Sequence, residues 1–116
     1  MKNERNEKQE VSQEPEETKN QRLLEEYKRK FGEVYLLEIP TDEKVLTAYL
    51  KTPSRKAIEA SMSFANSQPL TANEIILNDA WISGDEEIRK IEKNLIAALM
   101  SLDGLIEIKR GNLKKL

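Results

Sequence analysis

Two runs rich in β-branched and aromatic residues, EVYLLEI at 33–39 and KVLTAYLK at 44–51, are separated only by Pro40, Thr41, Asp42 and Glu43. Val, Tyr, Ile and Thr suit a pleated, half-buried surface, and a four-residue connection carrying Pro and Asp suits a hairpin built on a type I turn. A lone hairpin is marginal in water, so one of its faces must lie on other elements. Beyond Lys51 the chain reads as helix. The predicted class is therefore α+β, mostly α: a β-hairpin over 33–51, then a three-helix C-terminal bundle with a long last helix.

Three helices are expected after the hairpin. Thr52-Pro53 opens the first, over about 53–67: Thr52 is placed to cap free amides, and Pro53 suits a first helical position where its missing N–H costs nothing. Its buried stripe is Ala57, Ile58, Met62 and Ala65, and Pro69 ends it by excluding helical geometry from the residue before. Thr71-Ala72-Asn73-Glu74 has the spacing of a capping box and starts a second helix over about 72–82. The third, over 86–113, carries Ile88, Ile91, Leu95, Ala98, Leu102 and Leu105 in steps of three and four. Ile96, Leu99 and Ile106 widen that stripe beyond a coiled-coil seam. Asp103-Gly104 interrupts it, and Leu113 and Leu116 resume its period.

Ahead of the hairpin, Leu23, Leu24, Tyr27 and Phe31 recur at helical spacing, and Gly32 comes next as a stop, which predicts a short helix over 21–31. Residues 1–20 are dominated by Glu, Lys, Gln and Asn, with Val11 the only aliphatic after Met1. Such a segment buries too little surface to offset its chain entropy and is expected to be a disordered charged arm. The organisation expected is an arm over 1–20 and a single small domain over 21–116.

Composition narrows function by exclusion. The chain of 116 residues has no histidine and no cysteine, which removes Ser-His-Asp and Cys-His nucleophiles, the usual zinc sites and thiol redox chemistry. Its 19 basic and 21 acidic residues nearly cancel, so no global field draws in nucleic acid or an anionic membrane. The N-terminus has no apolar signal-peptide core, and no stretch approaches the ~20 apolar residues of a membrane span. The expectations are a cytoplasmic protein, with no catalytic residues, no cofactor and no metal.

The acidic hexapeptide SGDEEI at 83–88 is the one place where carboxylates concentrate beside a predicted helix start. As punctuation, Gly84 would form a left-handed C-terminal cap, Asp85 would cap the next helix, and Glu86 and Glu87 would favour that helix's dipole. As a calcium loop it lacks the alternating Asp/Asn ligands and later Glu that such a site needs, counted from Asn78 and Asp79. A carboxylate enzyme would have to gather Asp79, Asp85, Glu86 or Glu87 with Tyr or Lys, and no spacing forces that. Punctuation is the reading adopted.

The ordered part of the chain resembles the small tail assembly chaperones of long-tailed bacteriophages. The resemblance spans about 33–116 and rests on Thr52, Pro53, Ser54 and Arg55 after a strand, the break at Pro69, Trp81 and Ile82 closing the second helix, the turn Gly84 to Glu87, and the ending LIEIKRGNLKKL. It implies a non-enzymatic role: binding the long, helical tape measure protein, keeping it soluble, and helping tail tube subunits assemble around it. Protein partners are expected, with self-association open, and neither nucleic acid nor membrane. On this reading Trp81, Ile82, Leu95, Leu99 and Leu102 are the candidate partner-binding residues, the leucines through a helix-in-groove mode. Such leucines more often fill a core than an interface, whereas Trp81 could equally be a core plug or an interface anchor.

Two rivals stand beside it. A generic structural or adaptor subunit of a larger assembly has no feature that separates it from the chaperone. A nucleic-acid-binding regulator could use the short helices over 53–67 and 72–82 as a helix-turn-helix, but the second of these, ANEIILNDAWI, has two acidic residues and no Lys or Arg to meet phosphate.

Overall fold

A computed structural model of the protein describes residues 16–105 and 111–116. The chain divides into two units, Met1–Gly32 and Glu33–Leu116. In the first unit, α1 (Glu16–Phe31) starts five residues before the expected position at 21. Residues 1–15 of the expected arm lie outside the described residues. Gly32 ends α1 as anticipated: it takes φ +84, and its N–H donates to the Lys28 carbonyl at 2.9 Å, the left-handed stop that a residue with Cβ adopts only under strain. Leu23, Leu24, Tyr27 and Phe31 are its half-buried positions.

The second unit is mixed α+β. The hairpin forms in the expected place, with β1 (Val34–Pro40) antiparallel to β2 (Val45–Lys51). Thr41 closes the turn: its N–H and its hydroxyl both donate to the Lys44 carbonyl, at 2.8 and 2.6 Å, while the Lys44 N–H donates back to Thr41 Oγ1 at 3.1 Å. Strand alternation sends Leu37 and Ile39 of β1, and Leu46, Ala48 and Leu50 of β2, into the core, while Leu36, Glu38 and Val45 face outward.

A third strand, β3 (Trp81–Gly84), replaces the expected helix end at Trp81 and Ile82. It pairs antiparallel with β2, making the order β1-β2-β3, and an irregularity at Tyr49/Leu50 carries the register from Ser83 to Trp81. Gly84 faces Ala48 across this ladder. A Cβ on Gly84 would stand 2.5 Å from both Ala48 Cα and Ala48 Cβ, so close backbone approach, and not a left-handed cap, is what requires glycine here.

Helix boundaries also shift. Helix α2 (Arg55–Met62) begins after Ser54 and not Thr52, because the Ser54 hydroxyl accepts from the Ala57 N–H at 3.2 Å. It gives way to turns at 63–67. Ser61 starts the change by donating its hydroxyl to the Ile58 carbonyl at 2.8 Å, a back-bond that competes with helix continuation. Helix α3 (Pro69–Ala80) uses Pro69 at its first position and Gln68 as cap residue. Thr71 is thereby drawn inside the helix and its capping box is not made. Its hydroxyl instead lies 3.3 Å from Gln68 Oε1.

The long last helix over 86–113 is a sequence of shorter pieces: α4 (Glu87–Lys90), α5 (Glu92–Met100) and a 3-10 turn over Leu102–Gly104. Ile91 breaks it with extended angles, φ −100 and ψ 118. The kink is held by Asn94, buried between the pieces, whose Nδ2 donates to the Glu87 carbonyl at 3.3 Å. Ser101 closes α5 by donating its hydroxyl to the Ala97 carbonyl at 2.8 Å. Of the rest of the expected helix, 106–110 lie outside the described residues, and 111–116 have no regular structure.

Helices α3 and α4 pack on β2 and α5 on β1, while α2 packs on α3. The core joins Leu37, Leu46 and Leu50 from the sheet to Ile76, Leu77, Ile88 and Leu99 from α3, α4 and α5. Among the described residues no helix is long and apolar enough to cross a membrane.

Gly84→Ala should destabilise the protein by about 1–3 kcal/mol or more, since the added methyl meets backbone and not a mobile side chain. Gly111→Ala, which meets nothing within 4 Å, should stay within about 0.5 kcal/mol of the parent. Urea midpoints of the two variants check this.

Candidate functional site

Each carboxylate singled out by the sequence has a partner within the fold. Asp79, near the end of α3, accepts from the Ser54 backbone N–H at 2.7 Å and from the Ser54 hydroxyl at 3.1 Å. It thus orients the residue that caps α2 and ties the start of α2 to the end of α3. Asp85 closes the sheet: its Oδ2 accepts from the Thr47 N–H at 2.9 Å, and its own N–H donates to the Thr47 carbonyl at 2.9 Å. It does not cap the following helix, whose cap residue is Glu86 with no side-chain bond.

Glu86 and Glu87 point to different partners. Glu86 pairs with Arg89 at 2.7 Å, and Glu87 with Lys44 of the hairpin at 3.2 Å. Among the described residues no group of three or more Asp and Glu side chains could hold a metal ion. SGDEEI is punctuation of a different kind from that expected: the end of a strand clipped onto β2, followed by a single helical turn.

The candidate partner-binding residues separate by burial. Leu99 and Leu102 are 3% and 7% exposed and belong to the core. Leu95 is half-buried against that core. Trp81 and Ile82 lie half-buried on the edge strand β3, with Trp81 packed on the core and the Arg89 guanidinium 4.0 Å from its ring centroid. Arg89 therefore bridges Trp81 and Glu86, a cation–π contact and an ion pair on one side chain.

Of the apolar residues that the fold leaves outside, sequence reasoning passed over Leu36, Leu70 and Met100, and it placed Met62 in a buried stripe that the structure does not bury. Leu36 is 54% exposed on β1, Met62 67% at the end of α2, Leu70 44% at the start of α3, and Met100 69% at the end of α5. Ile96, one turn before Met100, is also exposed. The stripe of the last helix included Ile96, but its breadth gave no way to tell which side the core would take.

Beside β1 lies an open groove of about 160 Å³, lined by Tyr35, Leu36, Leu37, Leu50, Leu102 and Leu105, with Ser101 at its margin. Ser101 is the only hydroxyl-bearing aliphatic side chain in that lining, and none of the lining residues is charged. The groove can hold an apolar side chain and has no group equipped for acid–base or nucleophilic work beyond a serine and a tyrosine hydroxyl.

No protein-family model, no curated protein and no solved structure matches the chain significantly.

Asp79→Ala should cost about 1–2 kcal/mol by releasing the cap of α2. Glu87→Ala, at an exposed ion pair, should cost less than about 0.5 kcal/mol. Thermal unfolding of both should show this order, and millimolar calcium or magnesium should leave the parent's Tm unchanged.

Proposed function

We propose that this protein is a non-enzymatic assembly chaperone that binds and solubilises a long, helical protein, in the manner of the phage tail assembly chaperones its sequence resembles, with the tape measure protein as client. The observation that carries the proposal is the set of large aliphatic side chains left outside a well-filled core, Leu36, Met62, Leu70, Ile96 and Met100. Monomeric domains expose single apolar residues routinely, but exposed methionines are adaptable contacts favoured on surfaces that accept varied helical partners. Ile96 and Met100 stand one helical turn apart on α5, a spacing that an amphipathic client helix can meet.

The engagement of Asp79, Asp85, Glu86 and Glu87 with Ser54, Thr47, Arg89 and Lys44 favours a binding role over a carboxylate-based reaction. The burial of Leu99 and Leu102 moves the proposed contact surface to the other side of the same helix. Trp81 and Ile82 remain part of the proposed surface through their exposed portions, and Leu95 supports it from beneath.

Co-expression with a tape measure protein should raise the client's soluble fraction, and the two should elute together on size exclusion. A folded protein that elutes alone while the client aggregates would reduce the reading to a generic assembly subunit. Ile96→Asp with Met100→Asp should abolish co-elution without unfolding the chain. Leu99→Ala should instead lose about 2–5 kcal/mol of stability, as a buried leucine does. Trp81→Ala should weaken client binding more than Glu86→Ala, judged by pull-down at matched folded fraction.

A further inference from the structure

We infer that the outer side of α5 pairs with the same surface of a second copy of this chain, the two helices running antiparallel about a twofold axis. Exposed Lys93, Ile96, Met100 and Asp103 define that side. Their steps of three, four and three put them on one face of a helical winding. Ala98, Leu99 and Leu102 alternate with them and are buried, so the face turned to the core and the face turned away are distinct. Asp103 belongs to the 3-10 turn that follows α5, beyond Ser101.

The order of residues along this face is self-complementary. Lys93 and Asp103 are equidistant in sequence from position 98, and so are Ile96 and Met100. In an antiparallel pair centred at that level, Lys93 of each chain meets Asp103 of the other, and Ile96 meets Met100. The apolar contacts are thereby flanked at both ends by opposite charges. A parallel pair would set Lys93 against Lys93 and Asp103 against Asp103, so charge selects the antiparallel arrangement. Among the described residues, Lys93 and Asp103 stand outside the ion pairs Lys44–Glu87, Arg55–Glu59 and Arg89–Glu86.

A second copy is the occupant because the surface matches itself, which is the requirement of a twofold interface. The contact is small and belongs to the class of weak, concentration-dependent encounters. It covers Ile96 and Met100, so self-association and client binding exclude one another; that consequence rests on the chaperone reading, whereas the pairing itself does not.

Charge exchange tests the pairing. Full-length Lys93→Glu and full-length Asp103→Lys are each followed by sedimentation equilibrium over a concentration series, and circular dichroism confirms that they fold. Each alone sets like charges opposite one another at both ends of the pair and should raise the dimer Kd by about tenfold or more over the parent. Mixed in equal amounts, the two variants should form a heterodimer as tight as the parent dimer, because opposite charges then meet at both ends. The chain carrying both substitutions should dimerise like the parent, and added salt should weaken the parent dimer. The chain has no cysteine, so disulfides report the register. Differently tagged full-length Ile96→Cys and Met100→Cys, mixed under mild oxidation, should give the mixed disulfide at severalfold the sum of the two homodisulfides, whereas random pairing gives an amount equal to that sum.

A parent that stays monomeric, single variants that dimerise as the parent does, a double variant that does not recover, or a mixed disulfide no more abundant than the homodisulfides together overturns the proposal. No client is present in these experiments, so their result stands apart from the chaperone reading.

Discussion

The seam between β2 and β3 is the constraint on which the second unit depends. Ala48 and Gly84 face each other so closely that neither strand can carry a larger side chain there without moving backbone. Asp85 extends the contact by one residue, exchanging two hydrogen bonds with Thr47. This seam brings the end of α3 and the start of α4 onto the central strand, and so sets where Trp81, Ile88 and the kink at Ile91 must lie. If it opened, the sheet would lose its third strand and Ile88, now fully buried, would lose the floor it packs on.

Around the seam, polar side chains join one element to another. Asp79 reaches Ser54 across 25 residues of sequence, and Asn73 donates its Nδ2 to the Leu99 carbonyl across 26, at 2.9 Å. Each satisfies a backbone group that would otherwise be unpaired where helices meet helices or strands. No buried side-chain nitrogen or oxygen is left without a hydrogen-bond partner among the described residues. Apolar side chains are exposed on β1, at the α2–α3 connection and on α5.

The legible parts of the fold were those governed by neighbours in sequence. The hairpin followed from alternation and a four-residue turn, and Gly32 from the stop it places after a helical pattern. Where two local signals competed, the expected one was outweighed. Thr71 had the spacing of a capping box, but Pro69 started the helix two residues earlier. Thr52-Pro53 looked like a helix start, while Ser54 held the better bond because Asp79 oriented it. The strand Trp81–Gly84 was not legible at all: four residues carry no periodicity, and its pairing partner lies more than 30 positions away. The broad stripe of 88–106 suggested one long helix facing two partners. A kink at Ile91 instead let Ile88 and Leu99 reach one core from separate pieces.

By itself the sequence determined which common sites the chain has no residues to build, and the class of fold. Without histidine or cysteine it could not build the common nucleophilic, zinc or disulfide sites, and with a hairpin followed by amphipathic segments it had to lay helices on a sheet. These follow from composition and from periodicities of two and 3.6 residues, which are properties of the chain before it folds. Only the tertiary structure decided that SGDEEI ends a strand, that Leu99 and Leu102 are interior, and that Leu36, Ile96 and Met100 are the apolar residues offered to solvent. An apolar stripe wider than one contact specifies burial but not its direction. The direction is chosen by which other element arrives, here β2 and β3 meeting at Ala48 and Gly84.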